Sequence, residues 1–185
     1  MPEIDVDGNL FHYSERDGEG PLILMLCSTG LDSRQWRDML PLIEGRRSIC
    51  PHYLCYPKSG QWSGEGEIDS WTDYLASESL LLAEKGPVDI LGHSYGGFIG
   101  LMLAKNHPDK VRRMSLHEPT VWGCLQSTGR DDLKNEFGEV VETFFTEGLK
   151  PEDFLRDFVD YWNVTGTWDS ICLLYTSDAA DDSLR

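Results

Sequence analysis

The chain has 185 residues, a length for one domain rather than two. With 40% hydrophobic, 11% aromatic and 26% charged residues, its composition excludes a disordered or fibrous chain. Its 32 acidic residues against 16 basic ones give a net charge of -16, which repels phosphate backbones and anionic headgroups and argues against nucleic acid as a partner.

In chain order, Ile4 to Val6 and Leu10 to Tyr13 flank Asp7-Gly8-Asn9, a hairpin signal. A turn at Asp17 to Gly20 precedes the apolar run Leu22 to Leu26, which suits a strand buried on both faces. Trp36, Met39, Leu40 and Ile43 recur at helical spacing behind Asp32-Ser33 as an N-cap. Ile49 to Leu54 reads as a strand that Pro51 makes irregular, and Pro57 to Gly66 as a loop. Ser70, with Asp73 in capping-box position, starts a helix whose apolar side is Trp71, Tyr74, Leu75 and Leu82. Gly86-Pro87 stops it. Val88 to Leu91 is a short strand, Tyr95 to Asn106 an almost wholly apolar helix, and Val111 to His117 a further strand closed by Pro119. Strands alternating with helices predict the α/β class, a mostly parallel sheet with helices on both faces behind an N-terminal β-hairpin.

After Trp122 the strands cease. Leu133, Phe137, Val140 and Phe144 mark one acidic amphipathic helix, ended by Gly148. Pro151 opens another, with Phe154, Leu155, Phe158, Val159 and Trp162 on one face. This pair reads as an insertion over the sheet. Leu22 to Cys27, the longest apolar run, is far below a membrane span, and the acidic N-terminus lacks the pattern of a signal peptide. Five cysteines without CxxC or CxxH spacing argue against a disulfide framework or a zinc site, and Cys27, Cys50, Cys55 and Cys124 read as core thiols. The expectation is a soluble, cytoplasmic protein with no metal. The absence of G-x-G-x-x-G and Walker patterns leaves a nucleotide cofactor unsupported.

Gly92-His93-Ser94-Tyr95-Gly96 matches G-x-S-x-G between a strand and a buried helix. That turn strains the serine and exposes its hydroxyl, and the small flanking residues let strand and helix pass closely. The helix start places backbone N–H groups beside it.

V-D-I-L-G-H-S-Y-G-G-F-I-G (88–100) resembles the nucleophile elbow of the α/β-hydrolase superfamily. D-G-N-L-F-H-Y (7–13) is similar to its opening hairpin, and P-L-I-L-M-L-C-S-T-G-L-D-S-R-Q-W (21–36) to its strand, oxyanion loop and first helix. N-H-P-D-K-V-R-R-M-S-L (106–116) resembles the stretch after the elbow helix. The resemblance implies Ser94 as nucleophile, the Tyr95 backbone N–H as one oxyanion donor, and Ser28 as the other, with Cys27 as fallback. It implies an acyl-enzyme on an ester-type carbonyl. A serine at the elbow argues against the aspartate branches, dehalogenases and many epoxide hydrolases. The aromatics Phe144, Phe158 and Trp162 suggest a small or medium apolar acyl substrate or simply pack the cap.

This sequence departs from the family at three places. Leu26-Cys27 stand where the family has His-Gly. H-Y-L-C-Y-P-K-S (52–59) replaces both glycines of the next loop with Cys55 and Pro57. The family's acid and histidine follow the cap; of the five histidines, His93 sits in the elbow itself, pointing off the turn, and His117, with Glu118, lies close to the site as a stand-in base or acid. Residues 172–185 resemble, up to Asp181, the translation of a transposon-end sequencing adapter. The expected division is therefore 1–121 as the N-terminal part of the core, 122–171 as a partial helical cap and 172–185 as a non-native tail, with the fragment itself inactive. The competing expectation is a non-catalytic ligand-binding member of the same fold.

Overall fold

The computed structural model describes residues 2–56, 59–61, 70–144 and 151–170. Most of the loop expected over 57–66, Gly148, Ile171, the 172–185 tail and the Phe144 side chain lie outside them. Cα packing divides the chain into two compact units, with the boundary between Val121 and Trp122.

In the first unit β1 (Glu3–Val6) and β2 (Asn9–Arg16) form the expected hairpin. Its two turn residues, Asp7 at φ 52° and Gly8 at φ 83°, both take the left-handed conformation that a two-residue hairpin turn demands. β3 (Glu19–Leu26), β4 (Arg46–Pro51), β5 (Val88–His93) and β6 (Val111–His117) complete a six-stranded sheet in the order β1-β2-β4-β3-β5-β6. β3 pairs in parallel with β4 and β5, and β5 with β6, while β1–β2 and β2–β4 are antiparallel. β3 is central, which is why Leu22 to Leu26 is continuously apolar: Leu22, Leu24 and Leu26 face one core, Ile23 and Met25 the other.

The first core is closed by α1 (Trp71–Ala83) and α2 (Tyr95–Asn106). The buried side of α1 differs from the expectation. It is Asp73, Tyr74, Ala76, Ser77, Leu80 and Leu81, whereas Trp71 and Leu82 are exposed. Nor is there a capping box, since the Ser70 side chain makes no cap hydrogen bond and Asp73 is used elsewhere.

On the opposite face the helix expected around Trp36 to Ile43 is two 3-10 helical turns, Ser33–Trp36 and Leu40–Ile43. Pro41 has no N–H to continue an α-helix, and its ring crowds the preceding turn. Asp32 does cap the first turn, its carboxylate accepting the Arg34 N–H at 2.9 Å. Met25, Trp36, Leu40 and Cys50 line a cavity of about 270 Å³ between these turns and the sheet. Cys27 and Cys50 are buried with their sulfurs 3.4 Å apart, but Cys55 and Cys124 are exposed, not core thiols. Each falls where the chain turns, Cys55 at φ 66° and Cys124 in a short surface helix.

The second unit contains that helix, α3 (Gly123–Ser127), with α4 (Asp131–Phe144) and α5 (Pro151–Trp162). Five residues are too few to show a period, so α3 is invisible in the sequence pattern. Trp122 stacks on Phe137 at 3.8 Å between centroids and lies 5.8 Å from Trp162, which Phe158 and Tyr161 also meet edge-on. These aromatics therefore pack largely on one another. No helix among the described residues is long and apolar enough to cross a membrane.

Candidate active site

β5 ends at His93 and α2 begins at Tyr95, so Ser94 must turn the chain alone. It does so at φ 52° and ψ -116°, a conformation that costs a non-glycine residue on the order of 1–3 kcal/mol. Three backbone hydrogen bonds hold it there. Ser94 N–H donates to the His117 carbonyl at 2.9 Å, and the Ser94 carbonyl accepts from Phe98 at 3.1 Å and Thr120 at 3.2 Å. Its Oγ makes no hydrogen bond among the described residues and is partly exposed at the sheet's carboxyl edge.

The two outer glycines of the pentapeptide are steric necessities. A Cβ on Gly92 would stand 2.9 Å from the Gly96 carbonyl, and one on Gly96 would stand 2.2 Å from the Leu26 carbonyl oxygen and 2.5 Å from that of Cys27. The second contact also defines the site, because it presses the start of α2 against the end of β3. The Tyr95 amide at the helix start and the loop after Leu26 thus share one neighbourhood.

Within that loop, Leu26 and Cys27 are fully buried and join the two opposite cores, so apolar packing replaces the polar side chain that the resemblance expects there. Ser28 is 9% exposed, and its N–H donates to Gln35 Oε1 at 2.9 Å. The expected second oxyanion donor is therefore already paired. A buried amide needs an acceptor, and the 3-10 turn carrying Gln35 supplies one.

A carboxylate that sequence reasoning assigned elsewhere braces the elbow from below. Asp73 accepts the Leu54 N–H at 2.8 Å and the Tyr95 phenol at 2.9 Å, tying α1 to the first residue of α2. The signal was its helical face, shared with buried Ala76, Ser77 and Leu80. Tyr53 meets the Tyr95 ring edge-on at 5.2 Å, and burial pushes its phenol well above the usual range.

His93 and His117 are register partners on β5 and β6, with ring centroids 5.1 Å apart. Burial lowers the His93 pKa, the neighbouring His117 lowers it further, and Glu118 opposes both. Glu118 lies at φ 46°, with a carboxylate oxygen 4.0 Å from His117 Nδ1. The other three histidines are occupied away from the elbow: His12 by Glu3, His52 by Ser14, and His107 by Glu78.

A family model described as the alpha/beta hydrolase fold matches residues 21–165. Over 101 residues the chain is 29% identical to the pimeloyl-(acyl-carrier protein) methyl ester esterase of Aeromonas hydrophila, covering 54% of this chain and 38% of that one. Over 87 residues it is 37% identical to the 2-hydroxymuconate semialdehyde hydrolase of Pseudomonas sp. (strain CF600), covering 44% of this chain and 29% of that one. The chain thus spans less than half the length of these relatives. Among solved structures, a thioesterase domain from the curacin biosynthetic pathway superposes with a TM-score of 0.56 and 20% identity, over 61% of this chain and 42% of that one, a likeness of fold.

Proposed function

This chain belongs to the alpha/beta hydrolase fold family, and we propose that it carries the nucleophile of a serine hydrolase that acts on ester-type carbonyls. The observation that carries the reading is Ser94 itself, a strained residue at the head of a buried helix, its hydroxyl without a hydrogen bond among the described residues. In this reading Ser94 Oγ attacks the carbonyl carbon, its proton passes to a base, and the tetrahedral oxyanion accepts from the Tyr95 N–H. The Ser28 N–H joins when the oxyanion displaces the Gln35 carbonyl. Collapse, with the base returning its proton to the leaving oxygen, expels the alcohol and leaves an acyl-enzyme for water to hydrolyse. The esterase and hydrolase names of the relatives support a carbonyl substrate, and we propose a small or medium apolar acyl group for it. We assign residues 1–121 to the catalytic core and 122–171 to a partial cap.

Of the five histidines, His12, His52 and His107 are paired elsewhere, and His93 is the last residue of β5, directly before Ser94. In this reading His117, with Glu118, is the stand-in base, and its exposed ring is poorly fixed for that work. We therefore expect the 185-residue chain alone to turn over slowly. The second reading, a ligand-binding member without catalysis, is favoured by the occupied Ser28 amide. The test is hydrolysis of a short p-nitrophenyl ester by the product of the full natural gene beside its Ser94→Ala variant. We expect the variant to lose at least about 10³-fold in kcat. Equal turnover by both proteins would remove Ser94 from the chemistry, and no turnover above the buffer rate by either would favour the second reading.

A further inference from the structure

The pair His93 and His117 cannot be read as a ligand set from the sequence, because 24 residues separate them (117 minus 93) and no metal motif has that spacing. The sheet brings them together. Parallel register sets His93 opposite His117 on adjacent strands, which puts both side chains on the same face. Glu118 follows directly, and its left-handed backbone leaves a carboxylate oxygen near the His117 ring. One potential ligand atom from each of the three lies within 4.8 Å of the other two.

We propose that His93, His117 and Glu118 form a binding site for a divalent transition-metal ion of the zinc type at the carboxyl ends of β5 and β6, beside Ser94. Two imidazoles and a carboxylate suit zinc, cobalt, nickel or copper rather than the hard ions calcium and magnesium. A tetrahedral zinc with ligands at about 2.0–2.2 Å needs its ligand atoms roughly 3.4 Å apart. The present spacing must therefore close by little more than 1 Å, a motion on the order of one side-chain rotation. The side chains that have to move are free to do so, since His117 is 73% and Glu118 79% exposed. His93, half-buried at the strand end, is the fixed point on which the other two close. Three protein ligands leave a fourth position for water or another small ligand.

The site does not depend on Ser94 being a nucleophile, and its test reads binding alone. The metal-free chain is titrated with zinc chloride by calorimetry, and with cobalt chloride while the visible d–d absorption is followed. We expect about one equivalent bound per chain, with a cobalt spectrum of tetrahedral or five-coordinate intensity. His117→Ala and Glu118→Gln should each weaken binding by about tenfold or more, with circular dichroism unchanged because both side chains lie at the surface. His107→Gln, at the distant Glu78 pair, should bind as the parent does. Absence of saturable binding, or zinc affinity that survives His117→Ala, overturns the proposal.

Discussion

A single glycine shows how little freedom the elbow has. A methyl group at Gly96 lands 2.2 Å from a backbone oxygen of β3, and backbone in the middle of a sheet cannot retreat as a flexible side chain can. Gly96→Ala should therefore cost more than about 3 kcal/mol, the upper range of overpacking, and appear as a large fall in Tm or as insoluble protein. Gly138, in mid-helix on α4, is the opposite case: a Cβ there meets nothing within 4 Å. Gly138→Ala should stabilise its helix by roughly 0.5–1 kcal/mol through reduced freedom of the unfolded chain. The two variants are compared by denaturant unfolding of the same chain. If both are neutral, the close approach of α2 to β3 is not what holds the elbow.

Between elements, one acidic residue ties three strands. Asp89 on β5 accepts from Arg112 Nε on β6 at 2.8 Å and from Arg46 Nη2 on β4 at 3.1 Å, while Arg112 Nη2 makes a further contact with the same carboxylate. The Arg112 hydrogen bonds, then those of Arg46, hold the Asp89 carboxyl below its ordinary range against the opposing effect of burial. A depressed folded-state pKa stabilises above the unfolded value, near 3.9, and that stabilisation fades as pH falls through the lower folded value. Asp89→Asn should thus cost about 1 kcal/mol at neutral pH, and the Tm gap to the parent should close as the pH drops below about 4. A gap independent of pH would mean that packing, not charge, makes the difference. The two arginines of this bridge lie 43 and 23 residues from Asp89, beyond any helical or strand period, so the sequence pattern cannot show it. The strands themselves were legible, because Leu22 to Leu26 is apolar on both faces and Asp7-Gly8 admits few turns. The elbow was legible because G-x-S-x-G is local. Gln35 on the Ser28 amide and Asp73 under Tyr95 were not, since each contact depends on how a helical turn seats on the sheet. At Pro41 the failure was a different one: helical spacing of Trp36, Met39, Leu40 and Ile43 outweighed a breaker that the chain in fact obeys.

For the whole molecule, net charge and sheet edge pull in opposite directions. β6 has one strand neighbour among the described residues, and its stretch from Arg112 to Ser115 is exposed, with Met114 at 42%. An open edge offers unpaired amides and carbonyls to another copy of the chain. Against this stands a net charge of -16, and pairing two β6 edges also brings Arg112 and Arg113 of each copy near those of the other. Both repulsions act through solvent and are screened over about 10 Å at 0.1 M salt, whereas strand pairing acts at contact. Repulsion should therefore dominate at low ionic strength and edge pairing at high. Size-exclusion chromatography of the 185-residue chain should show monomer in dilute buffer and a growing dimer or larger species as salt rises. Met114→Lys adds a charge to the edge and should shift that transition to higher salt. Association that weakens with salt would instead identify ion pairing as its cause and remove the β6 edge as the contact.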